Sequence, residues 1–417
     1  MSNQERSEGN EAVKFDILLK GGHLIDPKNG LSECMDVAMA EGQIAAVDED
    51  IPEETARDIV DVSGMYVTPG LIDMHVHVHI WSEWFGMMGI RAVVPDAQSW
   101  KVGITTMVDA GTAGPLDFGR FKERVIDKSR TRILAYVNIS DQGMGGAGEQ
   151  TVANMRPELT AGVCKAFPKD VVGVKTAHYW TSKPWDKEHP PWASVERAVE
   201  AGELCQMPVM VDFWPRPPER PYEELILEKL RPGDIHTHVF AQQHPIILDD
   251  GSVNPALFEA RDRGIIFDVG HGAGSFWFRN AVQALEQGFL PDSFSTDLHT
   301  GNAANGLCPD LLNVCNKFLN IGMSLDDVIS RVTVAPAREI GRPELGHLSV
   351  GAVADIAVLR VREGEFGFFD CGGAKIVGDK KIECALTYQG GELMYDADGL
   401  TMPHWKEAPP EYWTVNR

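Results

Sequence analysis

The sequence predicts an α/β protein: a (β/α)8 TIM barrel with a small β-sandwich domain built from both ends of the chain. The length of 417 residues suits one large domain and one smaller domain. Between residues 69 and 345, eight apolar runs alternate with amphipathic segments, which is the pattern of a barrel that typically takes about 250 residues. Short alternating segments with glycine-bearing turns lie on both sides of this region and predict β-structure.

Each predicted barrel strand is a short and mainly apolar run, as expected for strands that are buried on both faces. The runs are Leu71–His77, Thr105–Ala110, Ile133–Ile139, Val171–Thr176, Pro208–Phe213, Ile235–Phe240, Ile265–Val269 and Ser293–Asp297. Between them, Trp192–Cys205 and Asn254–Arg263 carry apolar residues at three- and four-residue spacing, which predicts helices.

The segments that flank the barrel, 14–68 and 346–400, are predicted to form one small β domain. Residues 1–13 are polar and acidic, which indicates a disordered leader. Residues 401–417 carry proline and tryptophan and are predicted to form an extended C-terminal tail.

Composition limits the partners and the compartment. The formal net charge of −23 makes nucleic acid an improbable partner. No apolar run approaches the ~20 residues of a membrane span, and the N-terminus lacks the apolar core of a signal peptide. The seven cysteines form no Cys-x-x-Cys motif, which favours reduced, scattered thiols. We therefore expect a cytoplasmic protein that acts on a small molecule and, by base rate, forms a homo-oligomer.

A pair of histidines ends the first predicted strand, which reads Asp73-Met74-His75-Val76-His77. Residues i and i+2 of a strand point to the same side, so both imidazoles can face the barrel centre and chelate one cation. The C-terminal ends of barrel strands converge on one face, where active sites lie. The pair therefore predicts a metal site.

Three other predicted strands end in residues that can complete such a site. Strand six contains a second i, i+2 pair, His236 and His238. Strand four ends near Lys175, where a buried ammonium is costly; a carbamate formed with carbon dioxide is instead an anion that can bridge two cations, and pairing with a carboxylate is the structural alternative. Strand eight ends at Asp297, which can ligate a metal and accept a proton from metal-bound water, or alternatively cap a helix.

These motifs resemble those of the amidohydrolase superfamily over nearly the whole chain. Pro69–His77 is similar to the family's first-strand signature, and Gly103–Gly111 contains two stretches similar to its second strand. Residues 335–337 and 351–359 resemble its exit from the barrel. Asp268–Gly272 and Ser295–His299 are similar to a dihydroorotase-like amidohydrolase and deacetylase subgroup.

The resemblance implies a binuclear metal centre. His75 and His77 would hold the more buried ion, carbamylated Lys175 would bridge to the second ion, and His238 would bind that second ion. Asp297 would ligate the first ion and act as general base and acid. A hydroxide bridging the ions would attack the amide or ester carbonyl of a small acylated amino or hydroxy acid. Zinc is the expected ion, with manganese, iron or cobalt as alternatives.

Strand five departs from the family pattern, because Asp212 stands where a histidine is usual. An ionised Asp212 ligand would add a negative charge, weaken Lewis acidity and favour harder ions such as manganese. Alternatively, the second position is weak or empty, or His178, three residues beyond Lys175, compensates.

Four residues are predicted to contact the substrate. His271 lies between two glycines, of which Gly272 lets the backbone approach a ligand closely; a tight turn is the alternative interpretation. Arg216, in the proline-rich loop after strand five, could pair with a substrate carboxylate. His178 is the fourth.

Other functions remain open, and one of them is a decarboxylase or lactonase on the same scaffold. A cyclic-amide hydrolase of the dihydroorotase or hydantoinase type uses the same machinery. A metal-poor barrel that serves as a binding protein is the second alternative, and it is motivated by Asp212.

Overall fold

The computed structural model describes residues 13–80, 91–144 and 148–409. Residues 1–12 of the predicted leader and 410–417 of the predicted tail lie outside the described residues. The strands form two sheets. In chain order they are β1 (Phe15–Asp26), β2 (Leu31–Ala40), β3 (Gln43–Asp48), β4 (Ala56–Asp61), β5 (Tyr66–Pro69), β6 (Leu71–Val76), β7 (Ile104–Ala110), β8 (Arg132–Asn138), β9 (Val171–Thr176), β10 (Val209–Val211), β11 (Ile235–His236), β12 (Ile266–Phe267), β13 (Ile356–Phe369), β14 (Lys375–Gln389) and β15 (Glu392–Asp396).

The helices follow or separate the strands of the second sheet. They are α1 (Pro95–Gln98), α2 (Phe118–Phe121), α3 (Pro157–Ala166), α4 (Ala193–Cys205), α5 (Tyr222–Glu224), α6 (Pro255–Asp262), α7 (Phe278–Glu286), α8 (Thr300–Ala303), α9 (Leu311–Asn320), α10 (Leu325–Ser330) and α11 (Val334–Glu339). Wide π-helical turns, Lys122–Ile126 and Leu225–Lys229, extend α2 and α5. No helix within the described ranges is long and apolar enough to cross a bilayer.

The second sheet is a closed parallel barrel. β6 to β12 pair in sequence order and in parallel. The segment 293–298 takes the place of the eighth strand. Ser293 forms a parallel β-bridge with Asp268, and Leu298 forms one with Val76. The predicted barrel is therefore confirmed, although its eighth strand pairs through single bridges.

Aliphatic and aromatic side chains fill the barrel interior. The buried cluster comprises Ile72, Met74, Val108, Ala110, Leu134, Tyr136, Val172, Met210 and Ile235, together with Ala337, Ile340 and Leu345 from the α11 region. A larger cluster joins the outer strand faces to the helices. This packing leaves the carboxyl ends of the strands for polar side chains, as in other barrels.

The first sheet combines strands from both ends of the chain. Its order is β15-β14-β13-β5-β1-β2-β3, and β4 also pairs with β1. β1 changes register between Leu19 and Gly22, so its first half pairs with β4 and its second half with β5. The strands thus form one mixed eight-stranded sheet, and the predicted sandwich of two sheets is not confirmed.

A single residue, Gly70, links β5 of the first sheet to β6 of the barrel. A side chain at this residue, Gly70, would collide with Thr105 of β7. Because the link is so short, β6 enters the barrel directly from the small sheet, and its far end carries His75.

Candidate metal centre

The predicted ligands converge at the carboxyl end of the barrel in two groups. We define the first group as His75, His77 and Asp297. The Asp297 Oδ1 atom lies 3.0 Å from His77 Nε2 and 3.6 Å from His75 Nε2. The two histidines are 1% and 6% exposed. The i, i+2 spacing therefore places both imidazoles against one carboxylate at the strand end.

Hydrogen bonds fix the tautomer of His75. The Thr237 hydroxyl donates its only proton to Asp268 Oδ2 at 2.7 Å. The Thr237 hydroxyl oxygen lies 2.9 Å from His75 Nδ1. Because its own proton is already donated, this oxygen must accept a hydrogen bond from that nitrogen. Nδ1 consequently carries the hydrogen, and the Nε2 lone pair faces the centre of the site. This is the arrangement of a histidine prepared to bind a metal.

We define the second group as Asp212, His238 and His178. Asp212 Oδ2 lies 3.6 Å from His238 Nε2 and 3.4 Å from His178 Nε2. His238 Nδ1 donates to the Gly270 carbonyl, which leaves its Nε2 lone pair free. His178 Nδ1 lies 3.4 Å from Glu149 Oε2.

Lys175 lies beside the first group. It is fully buried, and its Nζ is 3.3 Å from His75 Nε2. Burial lowers the pKa of Lys175, although the charges of Asp212 and Asp297 oppose that shift. A Cβ at Gly111 would lie 2.5 Å from Lys175 Cβ, so only glycine leaves room for this side chain.

The backbone is left-handed at three residues of the two groups. The φ angles are 53° at His178, 62° at His238 and 48° at Asp297. Such values are uncommon outside glycine and cluster at functional sites. They also explain why β11 and the segment 293–298 are shorter as strands than predicted, because the chain leaves extended geometry at His238 and Asp297. His236, two residues before His238, instead packs against Tyr222 and His244.

The predicted substrate contacts lie in different surroundings. The His271 ring is fully buried, stacked on Phe276 and 2.6 Å from Lys317 Nζ. Gly272 has a φ of 57°, and a Cβ there would lie 2.7 Å from Asp297 Oδ2, so this glycine allows the close approach of Asp297.

Arg216 bonds to loop backbone. Its guanidinium donates to the carbonyls of Trp180 and Lys183 at 2.8 and 2.7 Å and lies over the Trp185 ring. These contacts tie together the loops after β9 and β10. The substrate roles of Arg216, His271, Gly272 and His178 stay predictions.

Sequence reasoning missed the residues that support the ligands. Thr237 lies between two histidines, and Asp268 directly follows β12, so the sequence could have indicated both residues as neighbours of the predicted site. Glu149 and Lys317 carried none, because a loop and α9 bring them to the site from distant parts of the chain.

The donor set fits a divalent cation. Ligand atoms of His75, His238 and Asp297 lie within 4.8 Å of one another. The Nε2 lone pairs of His75 and His238 face carboxylate oxygens of Asp297 and Asp212, each at 3.6 Å. Two acceptors at this distance need a proton or a cation between them. Imidazole and carboxylate together suit zinc and other first-row divalent ions.

The chain is similar to known proteins over nearly its whole length. No family model matches the chain. A protein called deacetylase from Enterococcus faecalis is 30% identical over 387 residues, which cover 92% of this chain and 100% of that protein. The crystal structure of an adenine deaminase has a TM-score of 0.81 at 29% identity and covers 92% of this chain and 100% of that one. The crystal structure of a dihydroorotase has a TM-score of 0.76 at 28% identity and covers 91% and 99%.

The closed barrel defines the fold class as a (β/α)8 barrel, and its histidine and aspartate cluster lies at the carboxyl end of the strands, where the active sites of such barrels lie. The chain belongs to the amidohydrolase superfamily and is a hydrolase of that superfamily. The alternative of a binding protein without enzymatic activity is therefore wrong.

Proposed function

We propose that this enzyme hydrolyses the amide or ester bond of a small acylated amino or hydroxy acid with the help of divalent metal ions. The observation that carries the proposal is the pair of imidazoles, His75 and His77, that face the Asp297 carboxylate at the barrel mouth. The first group would hold one ion, and Lys175, Asp212 and His238 would hold a second. Zinc is the ion that we expect, with manganese, iron or cobalt as alternatives. When bound, the ions supply Lewis acidity, which activates water and polarises a carbonyl.

Asp297 is the residue that moves the proton. Burial opposes its ionisation, but the hydrogen bond from His77 and the neighbouring histidines hold the pKa of Asp297 well below its ordinary value. An ionised Asp297 accepts a proton from water as the water oxygen bonds to the substrate carbonyl carbon. It then donates that proton to the leaving nitrogen or oxygen as the carbonyl bond to that atom breaks.

Lys175 has the properties that carbamate formation needs. Only a neutral amine attacks carbon dioxide, and burial favours the neutral form of Lys175. A carbamate would replace a costly buried ammonium by an anion beside the metal ligands.

The relatives support deacylation as the reaction. The Enterococcus faecalis protein, which this chain matches over its whole length, is called a deacetylase. A second candidate, hydrolysis of a cyclic amide, is favoured by the dihydroorotase structure at 28% identity. Both reactions require attack on a carbonyl beside nitrogen or oxygen, so the metal centre alone does not separate them.

A substrate panel and metal analysis test the proposal together. Zinc-loaded and manganese-loaded protein should hydrolyse members of a panel of N-acetyl amino acids and O-acetyl hydroxy acids faster than dihydroorotate or hydantoins. The reverse preference would favour the cyclic-amide function. Less than about 0.2 metal ions per chain after metal-replete expression, with no hydrolysis, would contradict a metal-dependent hydrolase.

A further inference from the structure

We infer that His178 is a ligand of the second metal ion and supplies the imidazole that strand five lacks, with Glu149 orienting it. The inference rests on the proposed function and assigns to His178 a role other than substrate contact. It makes the second group, Asp212, His238 and His178, a match for the first group: two histidines and one aspartate.

The distances in the two groups are alike. In the first group the imidazole nitrogens lie 3.0 and 3.6 Å from the carboxylate oxygen of Asp297. In the second group they lie 3.4 and 3.6 Å from the carboxylate oxygen of Asp212. In both groups one aspartate oxygen faces two Nε2 atoms.

Glu149 decides which nitrogen of His178 is free. A carboxylate only accepts hydrogen bonds, so the Nδ1 atom that faces Glu149 at 3.4 Å carries the hydrogen. Nε2, which lies 3.4 Å from Asp212 Oδ2, is then the nitrogen left to bind a cation that lies beside that carboxylate. A carboxylate behind a metal-binding histidine fixes its tautomer and raises its basicity.

Glu149 is well placed for this function. It is 2% exposed, whereas the His178 side chain is 52% exposed. Glu149 also accepts a hydrogen bond from Asn138 of β8 at 3.4 Å. The buried carboxylate therefore anchors a loop histidine to the barrel wall.

The left-handed backbone of His178 supports the same role. A φ of 53° is uncommon for histidine and carries strain that a loop residue would ordinarily avoid. His238 and Asp297, which the resemblance assigns as ligands, share this conformation. The loop after β9 thus gives His178 the same backbone conformation as the predicted ligands His238 and Asp297.

Metal counting in a set of variants tests the inference. Each protein is loaded with zinc and passed into metal-free buffer. Ions per chain are measured by inductively coupled plasma mass spectrometry, and zinc affinity is measured by competition with a chromophoric chelator. The set is wild type, His178→Ala, His178→Gln, Glu149→Gln and the double variant Asp212→His with His178→Ala. His189→Ala is the matched control, because His189 lies in the same loop and also pairs with a carboxylate, Asp186, and neither residue belongs to the two groups.

We expect two ions in wild type and in the His189 variant, and one ion in both single His178 variants. Glu149→Gln should lower the affinity for the second ion by about 10- to 100-fold. The double variant restores an imidazole on strand five and should regain the second ion. Circular dichroism shows which variants are folded, and the double variant keeps the test valid if one single variant is unstable.

Three outcomes would contradict the assignment of His178 as a ligand. Retention of two ions with wild-type affinity by His178→Ala would overturn the inference, and so would equal losses in the His189 control. A wild type without any ion would overturn both this inference and the proposed function. A wild type that binds two ions and loses one in the His178 variants, but hydrolyses nothing on the panel, would support the inference and contradict the proposed function.

Discussion

The two groups of the candidate metal centre differ in what holds their side chains. In the first group, His75 and His77 come from one strand, are almost fully buried, and are braced by Thr237 and Thr112 at their Nδ1 atoms. In the second group, Asp212 and His238 follow different strands, and His178 lies in a loop and is half exposed. The first group is therefore built into the barrel, whereas the second depends on loop structure and should bind its ion less tightly.

The largest effect on activity is expected when the first group loses the negative charge of Asp297. Asp297→Asn keeps the shape of the side chain but cannot accept a proton, so kcat should fall by about 10²- to 10⁴-fold. Steady-state kinetics on the best substrate of the panel measures the loss. Asp250→Asn, an exposed loop aspartate bonded to Ser252, is the control and should keep wild-type kcat. Retained activity in Asp297→Asn, with a native circular dichroism spectrum, would show that another residue is the base.

Lys175 is proposed to bridge the two groups as a carbamate, and its removal should damage the second group more than the first. Lys175→Ala should lose the second ion, lower kcat by more than the 10- to 100-fold typical of a lost supporting contact, and regain activity with added acetate or propionate. The added carboxylate replaces the missing carbamate in the cavity that the alanine leaves. Normal turnover without rescue would contradict the carbamate.

The first group could be predicted from the sequence more fully than the second, because regular strands hold it. The alternation of apolar runs with amphipathic helices predicts the barrel, because strands buried on both faces must be continuously apolar. The i, i+2 spacing of His75 and His77 predicts their convergence, because strand geometry is regular. His178 could be named but not placed, since its position depends on a loop with a left-handed residue. Glu149 could not be found, because only the folded chain brings it from another loop to His178.

A smaller effect should follow from removing one hydrogen bond that orients a histidine of the first group. Thr237→Val preserves volume but removes the oxygen that accepts from His75 Nδ1. The first ion should bind about 10- to 100-fold more weakly, as measured by chelator competition. Ser293→Ala is the matched control, because Ser293 also donates to Asp268 but does not contact His75 in the described bonds. Equal losses in both variants would attribute the effect to Asp268 rather than to the orientation of His75.

The smallest effect concerns the order in which the ions leave. When the zinc-loaded enzyme is diluted into excess chelator, the ion of the half-exposed second group should dissociate first and the ion of the buried first group later, because local opening of a loop costs less than opening a barrel strand. Ions per chain, followed over time by mass spectrometry, should therefore fall in two phases. Thr237→Val should accelerate only the slow phase, and Glu149→Gln only the fast one. A single phase in wild type, or acceleration of the same phase by both substitutions, would mean that the two groups release their ions as one unit, and the contrast between a rigid and a loop-dependent position would then be wrong.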